Sequence, residues 1–121
     1  MANTFVHVEL HTTDVNQAKG FYGKLFDWKL EDVPMGDGTT YKMIRIGDGT
    51  GGGMVKNPVP GAPPSWLAYV LVDDIEASTK KAESLGAKVV TGVTEVPGMG
   101  RLSVIVDPQG AAFAMWQPKG M

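Results

Sequence analysis

Apolar and polar residues alternate from Phe5 to Leu10, with Val6, Val8 and Leu10 on one side and His7, Glu9 and His11 on the other. A period of two predicts a strand. Asp14 follows as a helix N-cap, since its carboxylate can accept from free backbone N–H groups. From Val15 to Phe26 the period changes. Val15, Ala18, Phe21, Tyr22 and Leu25 fall at helical spacing and form one apolar stripe. Trp28 to Val33 predicts a second strand, ended by Pro34. Gly36, Asp37 and Gly38 predict a turn, Thr40 to Ile46 a third strand, and Gly51 to Lys56 a glycine-rich fourth.

Prolines 58, 60, 63 and 64 then crowd the segment Asn57 to Pro64. They predict a stiff extended linker and a module boundary. After it the pattern restarts. Trp66 to Val72 predicts a strand, Asp74 a cap, Ile75 to Leu85 a helix closed by Gly86, and Lys88 to Val93 a strand. Arg101 to Val106 and Ala111 to Gln117 complete the set, separated by the turn Asp107-Pro108-Gln109-Gly110. An offset of 60 carries Asp14 onto Asp74, Val15 onto Ile75, Leu10 onto Val70, Ile44 onto Val104 and Ile46 onto Val106. The expected class is α+β. Two tandem βαβββ modules, residues 4–56 and 65–118, form a curved, cleft-lining mixed sheet with helices on the outer face, as one domain over residues 1–121.

Strands send alternate side chains to opposite faces. Val6, Val8 and Leu10 are expected beneath the first helix, leaving His7, Glu9 and His11 on the other face. By the same alternation Ile44 and Ile46 face the helix, while Tyr41, Met43 and Arg45 face away. The offset places Leu67, Tyr69, Leu71, Arg101, Ser103 and Ile105 on the non-helical face of the second module. In the last strand Ala112, Ala114 and Trp116 are opposite Phe113 and Met115. If the two half-sheets curl together, their mixed faces line a largely apolar cleft with a few polar groups, as small-molecule sites do.

Composition narrows the function. A net charge of −2 with no basic block argues against nucleic acid. With no cysteine, disulfides, thiolate metal sites and a Cys nucleophile are excluded. No apolar run approaches the roughly 20 residues that span a bilayer, and residues 1–4 show no signal-peptide pattern. A cytoplasmic location is expected. Gly47-Asp48-Gly49-Thr50-Gly51-Gly52 fits G-x-G-x-x-G formally, but Met54-Val55-Lys56 and prolines follow it where a dinucleotide site needs a helix. A glycine hairpin is the reading. No G-x-S-x-G turn accompanies the serines. Asp73-Asp74 reads as capping, and Trp66 as structural.

Phe21-Tyr22-Gly23-Lys24-Leu25-Phe26-Asp27-Trp28 resembles the "FYxxxxGW" helix end of the vicinal oxygen chelate superfamily, the glyoxalase/bleomycin resistance/dioxygenase proteins. Asp107-Pro108-Gln109-Gly110 resembles its "DPxG" turn. Glu9-Leu10 with Thr13-Asp14, Val72-Asp73-Asp74, Gly110 to Phe113 and Trp116-Gln117-Pro118 look most like the glyoxalase-like, Cfp30B-type subgroup. The resemblance covers residues 5 to 118. It implies paired βαβββ modules, a cleft and often a homodimer. It also implies, in metal-using members, two ligands per module to one divalent ion. Those positions map to His7, Leu67, Ala114, and Met54 or, if the strand slips by one, Gly53. Only His7 is a suitable ligand, since a thioether suits a hard ion poorly and catalytic sites normally supply three protein ligands.

The expectation is therefore no metal and no cofactor. His7 and Glu9 are the candidate catalytic pair, roughly 6–7 Å apart along their strand. His11, about 13 Å from His7, is too far to share an ion with it. A buried Glu9 could serve as a general base. Pairing with Arg45 or Arg101 would hold it inert. Tyr69, Trp116, Met43, Met54 and Arg101 are the candidate ligand-binding residues. The leading expectation is a small-molecule-binding protein, homodimeric, with sequestration or metal-free acid–base chemistry. The alternatives are a divalent-metal lyase or isomerase of the glyoxalase type, and a structural dimer with a vestigial cleft.

Overall fold

Asp14 and Asp74 cap the two helices as their spacing predicts. Asp14 Oδ1 accepts from the Gln17 N–H at 3.0 Å, and Asp74 Oδ1 from the Ala77 N–H at 3.1 Å. Each bond satisfies one orphan donor, a contribution of about 1 kcal/mol. The computed structural model describes residues 3–34, 38 and 40–120. Gly36 and Asp37 of the expected turn lie outside the described residues.

The elements in chain order are β1 (Phe5–Thr12), α1 (Val15–Leu25), β2 (Lys29–Pro34), β3 (Thr40–Arg45), β4 (Gly52–Lys56), β5 (Ser65–Leu71), α2 (Ile75–Ser84), β6 (Lys88–Val96), β7 (Gly100–Val106) and β8 (Ala112–Pro118). The order strand, helix, three strands thus occurs twice. The chain divides into two compact units, His7–Leu67, and Met1–Val6 with Ala68–Met121. In the first the strand order is β2-β3-β4-β1, and in the second β5-β8-β7-β6. β1 pairs with β4 in parallel, and β5 with β8 in parallel. The other pairs within each unit are antiparallel, so the eight-stranded sheet is mixed.

One apolar cluster fills each helix–sheet layer. In the first unit Leu10, Ile44 and Met54 pack against Val15, Ala18 and Tyr22 of α1, with Trp28 and Leu30 alongside. In the second, Val72, Ile105 and Met115 pack with Ile75 of α2, and Ala82, Val89 and Phe113 join them. Trp66 meets Tyr22 and Trp28 edge-on, at ring-centroid distances of 5.5 and 6.3 Å, which supports a structural role.

The clusters correct the faces of the second module. Ile44 corresponds to Ile105 and Met54 to Met115, and these pairs stand 61 residues apart rather than 60. The change in offset accompanies two register shifts in the β6–β7 pairing, between Val89 and Thr91 and between Thr91 and Thr94. A net slip of one residue sends every side chain of a strand to the opposite face. Ser103 and Ile105 therefore lie under α2. Ser103 Oγ bonds Thr79 Oγ1 at 2.9 Å, and Thr79 Oγ1 donates to the Ile75 carbonyl at 2.6 Å. Ile46 falls beyond β3 and is exposed rather than helix-packed.

The proline-rich segment also differs from expectation. It is folded back, not extended. Asn57 Nδ2 donates to the Ala62 carbonyl at 2.9 Å, and the Ala62 N–H to the Val59 carbonyl at 3.2 Å. One asparagine gives the segment a local closure that proline content does not reveal.

Candidate functional site

The face of the first unit away from α1 is set by β1, β4 and β3. Leu10 lies in the core beneath α1. Alternation therefore puts His7, Glu9 and His11 on the opposite face. Glu9 is in register with Gly53 of β4, and Gly53 with Met43 of β3. Tyr41, two residues before Met43, shares that face.

Tyr41 stands on β3, two strands from β1, yet its hydroxyl reaches β1. It donates to Glu9 Oε2 at 2.7 Å. His7 Nε2 lies 2.7 Å from the Tyr41 hydroxyl oxygen. On the other side of the carboxylate, His11 Nε2 bonds Glu9 Oε1 at 2.7 Å. The side chain crosses β4 over Gly53. A Cβ added at Gly53 would fall 1.8 Å from the Tyr41 hydroxyl oxygen and about 2 Å from its ring carbons. Only a residue without a side chain leaves this path open.

Donor counting orients the chain of bonds. A phenol has one proton. Tyr41 gives it to Glu9, so its oxygen accepts from His7 Nε2–H. Burial holds the His7 pKa below its ordinary value of 6.5, against the opposite pull of the Glu9 charge. At neutral pH His7 is an uncharged donor to Tyr41. The side chains of His11 and Glu9 retain only 16% and 13% of their exposure, so the hydrogen bond between them is well shielded from water.

His7 and Glu9 are thus brought together, but through a third residue. Tyr41 bridges the two, and His11 takes the direct contact with Glu9. The arginines considered as partners of Glu9 reach elsewhere. Arg45 Nε donates to Glu31 at 3.1 Å, and Arg101 reaches Glu76 of α2 at 3.4 Å and Gln117 at 3.2 Å.

The other expected ligand-binding residues divide. Met43 lies on the face of Glu9 and Gly53. Tyr69 pairs with Ala114 and Leu71 with Trp116, and these side chains occupy the face of the second unit opposite Met115 and α2. Met54 does not face away from the helix. It is 1% exposed, in the core beneath α1. Arg101 also lies on the helix side, because the one-residue slip moves it there with Ser103 and Ile105.

The positions that the resemblance assigns to a divalent ion do not suit one. Leu67 and Ala114 bear no donor, Gly53 has no side chain, and Met54 is in the core. His7 Nε2 is engaged by Tyr41. Among the described residues no three His, Asp or Glu side chains are grouped to hold a metal.

Two members of the polar chain, Tyr41 and His11, were not among the candidates read from sequence. Their signal was present: spacing of two along β1 for His11, and the shared face of β3 for Tyr41. What alternation does not encode is the reach of a side chain across an intervening strand.

Residues 4–115 match the model of the Glyoxalase/Bleomycin resistance protein/Dioxygenase superfamily. The chain is 33% identical over 115 residues to the Mycobacterium tuberculosis protein named "Putative glyoxylase CFP32", covering 95% of this chain and 44% of that one. It is 32% identical over 130 residues to the anthracycline biosynthesis protein DnrV of Streptomyces peucetius, covering 90% and 45%. It therefore spans less than half the length of these relatives. The crystal structure of methylmalonyl-CoA epimerase from Mycobacterium tuberculosis is similar at a TM-score of 0.68 and 16% identity, covering 94% of this chain and 87% of that one. At that identity the likeness concerns the fold alone.

Proposed function

Because the chain belongs to the Glyoxalase/Bleomycin resistance protein/Dioxygenase superfamily, we propose that it binds a small planar or hydrophobic organic molecule and moves a proton on it without a divalent metal. Glu9 is the base. It takes a proton from one atom of the ligand, the Tyr41 hydroxyl gives its proton to another atom, and the protonated Glu9 restores the Tyr41 proton across their 2.7 Å bond while neutral His7 donates to the phenolic oxygen. No co-reactant is needed, and the net change is an isomerisation. The observation that carries this reading is the bonded chain His7–Tyr41–Glu9–His11. The unsuitable donor set at the family's metal positions supports it. Met43, on the face of Glu9 in the first unit, is the proposed ligand contact beside the polar chain, and Tyr69 and Trp116 are proposed contacts within the second unit, since aromatic and thioether groups suit a planar ligand. The names of the anthracycline biosynthesis relative and of the epimerase suggest two probes, a polycyclic ketone and an acyl-CoA. We also propose a homodimer and a cytoplasmic location; no helix among the described residues is long and apolar enough to cross a membrane.

Thermal-shift titration with an anthracyclinone and with methylmalonyl-CoA tests binding, because a ligand specific to the native state raises Tm. NMR of the bound probe in D2O then tests proton transfer. The expected result is deuterium uptake at a carbon next to a carbonyl that survives EDTA and is lost in Glu9→Gln. Uptake that requires added Zn, Ni or Mn would overturn the metal-free reading in favour of a metal-dependent lyase or isomerase.

A further inference from the structure

Strand β4 separates Tyr41 from the residues it joins. The order is β3-β4-β1, so a side chain on β3 reaches β1 only by passing over β4. At the crossing point β4 carries Gly53, whose partners in register are Glu9 on one side and Met43 on the other. A Cβ there would overlap the Tyr41 oxygen at 1.8 Å and two ring carbons at 2.1 and 2.2 Å. A small rotation of the hydroxyl cannot relieve a clash with the ring itself. The tyrosine would have to leave.

We infer that Gly53 is a positioning residue, and that the Tyr41 hydroxyl it admits makes His7 and Glu9 one proton-sharing unit. The inference rests on the acid–base reading of the same site and specifies how its two groups communicate. When His7 is protonated, its Nε2 proton passes to the Tyr41 oxygen as the Tyr41 proton passes to Glu9 Oε2. The products are neutral His7, an intact phenol and a protonated Glu9 carboxyl. No proton is gained or lost, and no group beyond these three takes part. A direct transfer between His7 and Glu9 is replaced by two transfers over bonds of 2.7 Å. The inference also accounts for the glycine at 53: Tyr41 occupies the space a side chain there would need.

The test needs no ligand, so its outcome is separate from that of the binding and exchange experiments. Histidine ring signals are followed by NMR against pH in the wild type, Tyr41→Phe, Gly53→Ala and Gly20→Ala. Gly20 lies in α1 with open space around its would-be Cβ, so its variant controls for an added methyl. The expected result is that Gly53→Ala and Tyr41→Phe change the His7 titration in the same direction, while Gly20→Ala leaves it unmoved. A His7 titration that is unaltered in Gly53→Ala but altered in Tyr41→Phe would overturn the positioning role. An unaltered titration in both would overturn the coupling. A second measurement guards against loss of folding. Gly53→Ala should lower Tm in the wild-type background and have little effect in Tyr41→Ala, where the obstructing ring is gone. Equal losses of Tm in both backgrounds would also refute the inference.

Discussion

The Tyr41 hydroxyl stands 2.7 Å from Glu9 Oε2 and 2.7 Å from His7 Nε2, so two residues of one strand are joined by a side chain from two strands away. Tyr41→Phe keeps the ring over Gly53 and removes only the bridge. Loss of the two hydrogen bonds made by the Tyr41 hydroxyl should cost about 1–3 kcal/mol of stability. If the site moves protons as proposed, deuterium exchange into a bound ketone should slow by about 10²-fold or more. Urea unfolding and the exchange rate check the two effects separately.

His7 makes stability depend on pH. Its folded pKa lies below the ordinary 6.5, chiefly because burial disfavours the imidazolium. Between 6.5 and that lowered value the unfolded chain binds more protons than the folded one. Stability should therefore fall as pH drops through this window and level off, for this group, once both states are protonated. His7→Gln removes the titrating ring but keeps a donor for Tyr41. The expected result is a flatter dependence of Tm on pH in that window, with the wild-type His7 ring signal titrating below 6.5.

Met54 and Arg101 were both expected among the ligand contacts, and both lie on the helix side. Their energetics should differ. Met54 is 1% exposed, so Met54→Ala leaves a cavity beneath α1 and should cost about 2–5 kcal/mol. Arg101 pairs with an exposed Glu76 across 3.4 Å, a contact worth about 0–1 kcal/mol. Denaturant unfolding of the two alanine variants checks the contrast.

The turn before β8 should contribute an acid-sensitive stabilisation. Asp107 Oδ1 accepts from the Gln109 N–H at 2.9 Å and the Ala111 N–H at 3.0 Å. These backbone donors hold its pKa below 3.8. A depressed folded pKa means the stabilisation is present above 3.8 and lost as pH falls through the folded value. Asp107→Ala should lower Tm at neutral pH. Asp107→Asn, which can still accept from both N–H groups, should lower it less and flatten the acid limb. Tm measured from pH 2 to 7 in the three proteins checks both statements.

Much of this protein was legible without coordinates. Caps, helix stripes and strand alternation are local, with periods set by backbone geometry, and Asp14, Asp74 and the face shared by His7, Glu9 and His11 follow from them. The repeat was legible for the same reason, since each module rebuilds the same local pattern. Tertiary structure decided what depends on register and reach. Core residues of β3 and β4 have their counterparts in β7 and β8 at 61 rather than 60, and that places Arg101, Ser103 and Ile105 on the helix side, because a pleated strand inverts its faces with each residue of slip. The position of Met54 followed from the pairing of β4, which a run of glycines does not specify. Tyr41 entered the site because β4 offers Gly53 at the crossing point. That contact joins residues 34 and 32 positions apart in sequence, beyond the reach of any local period.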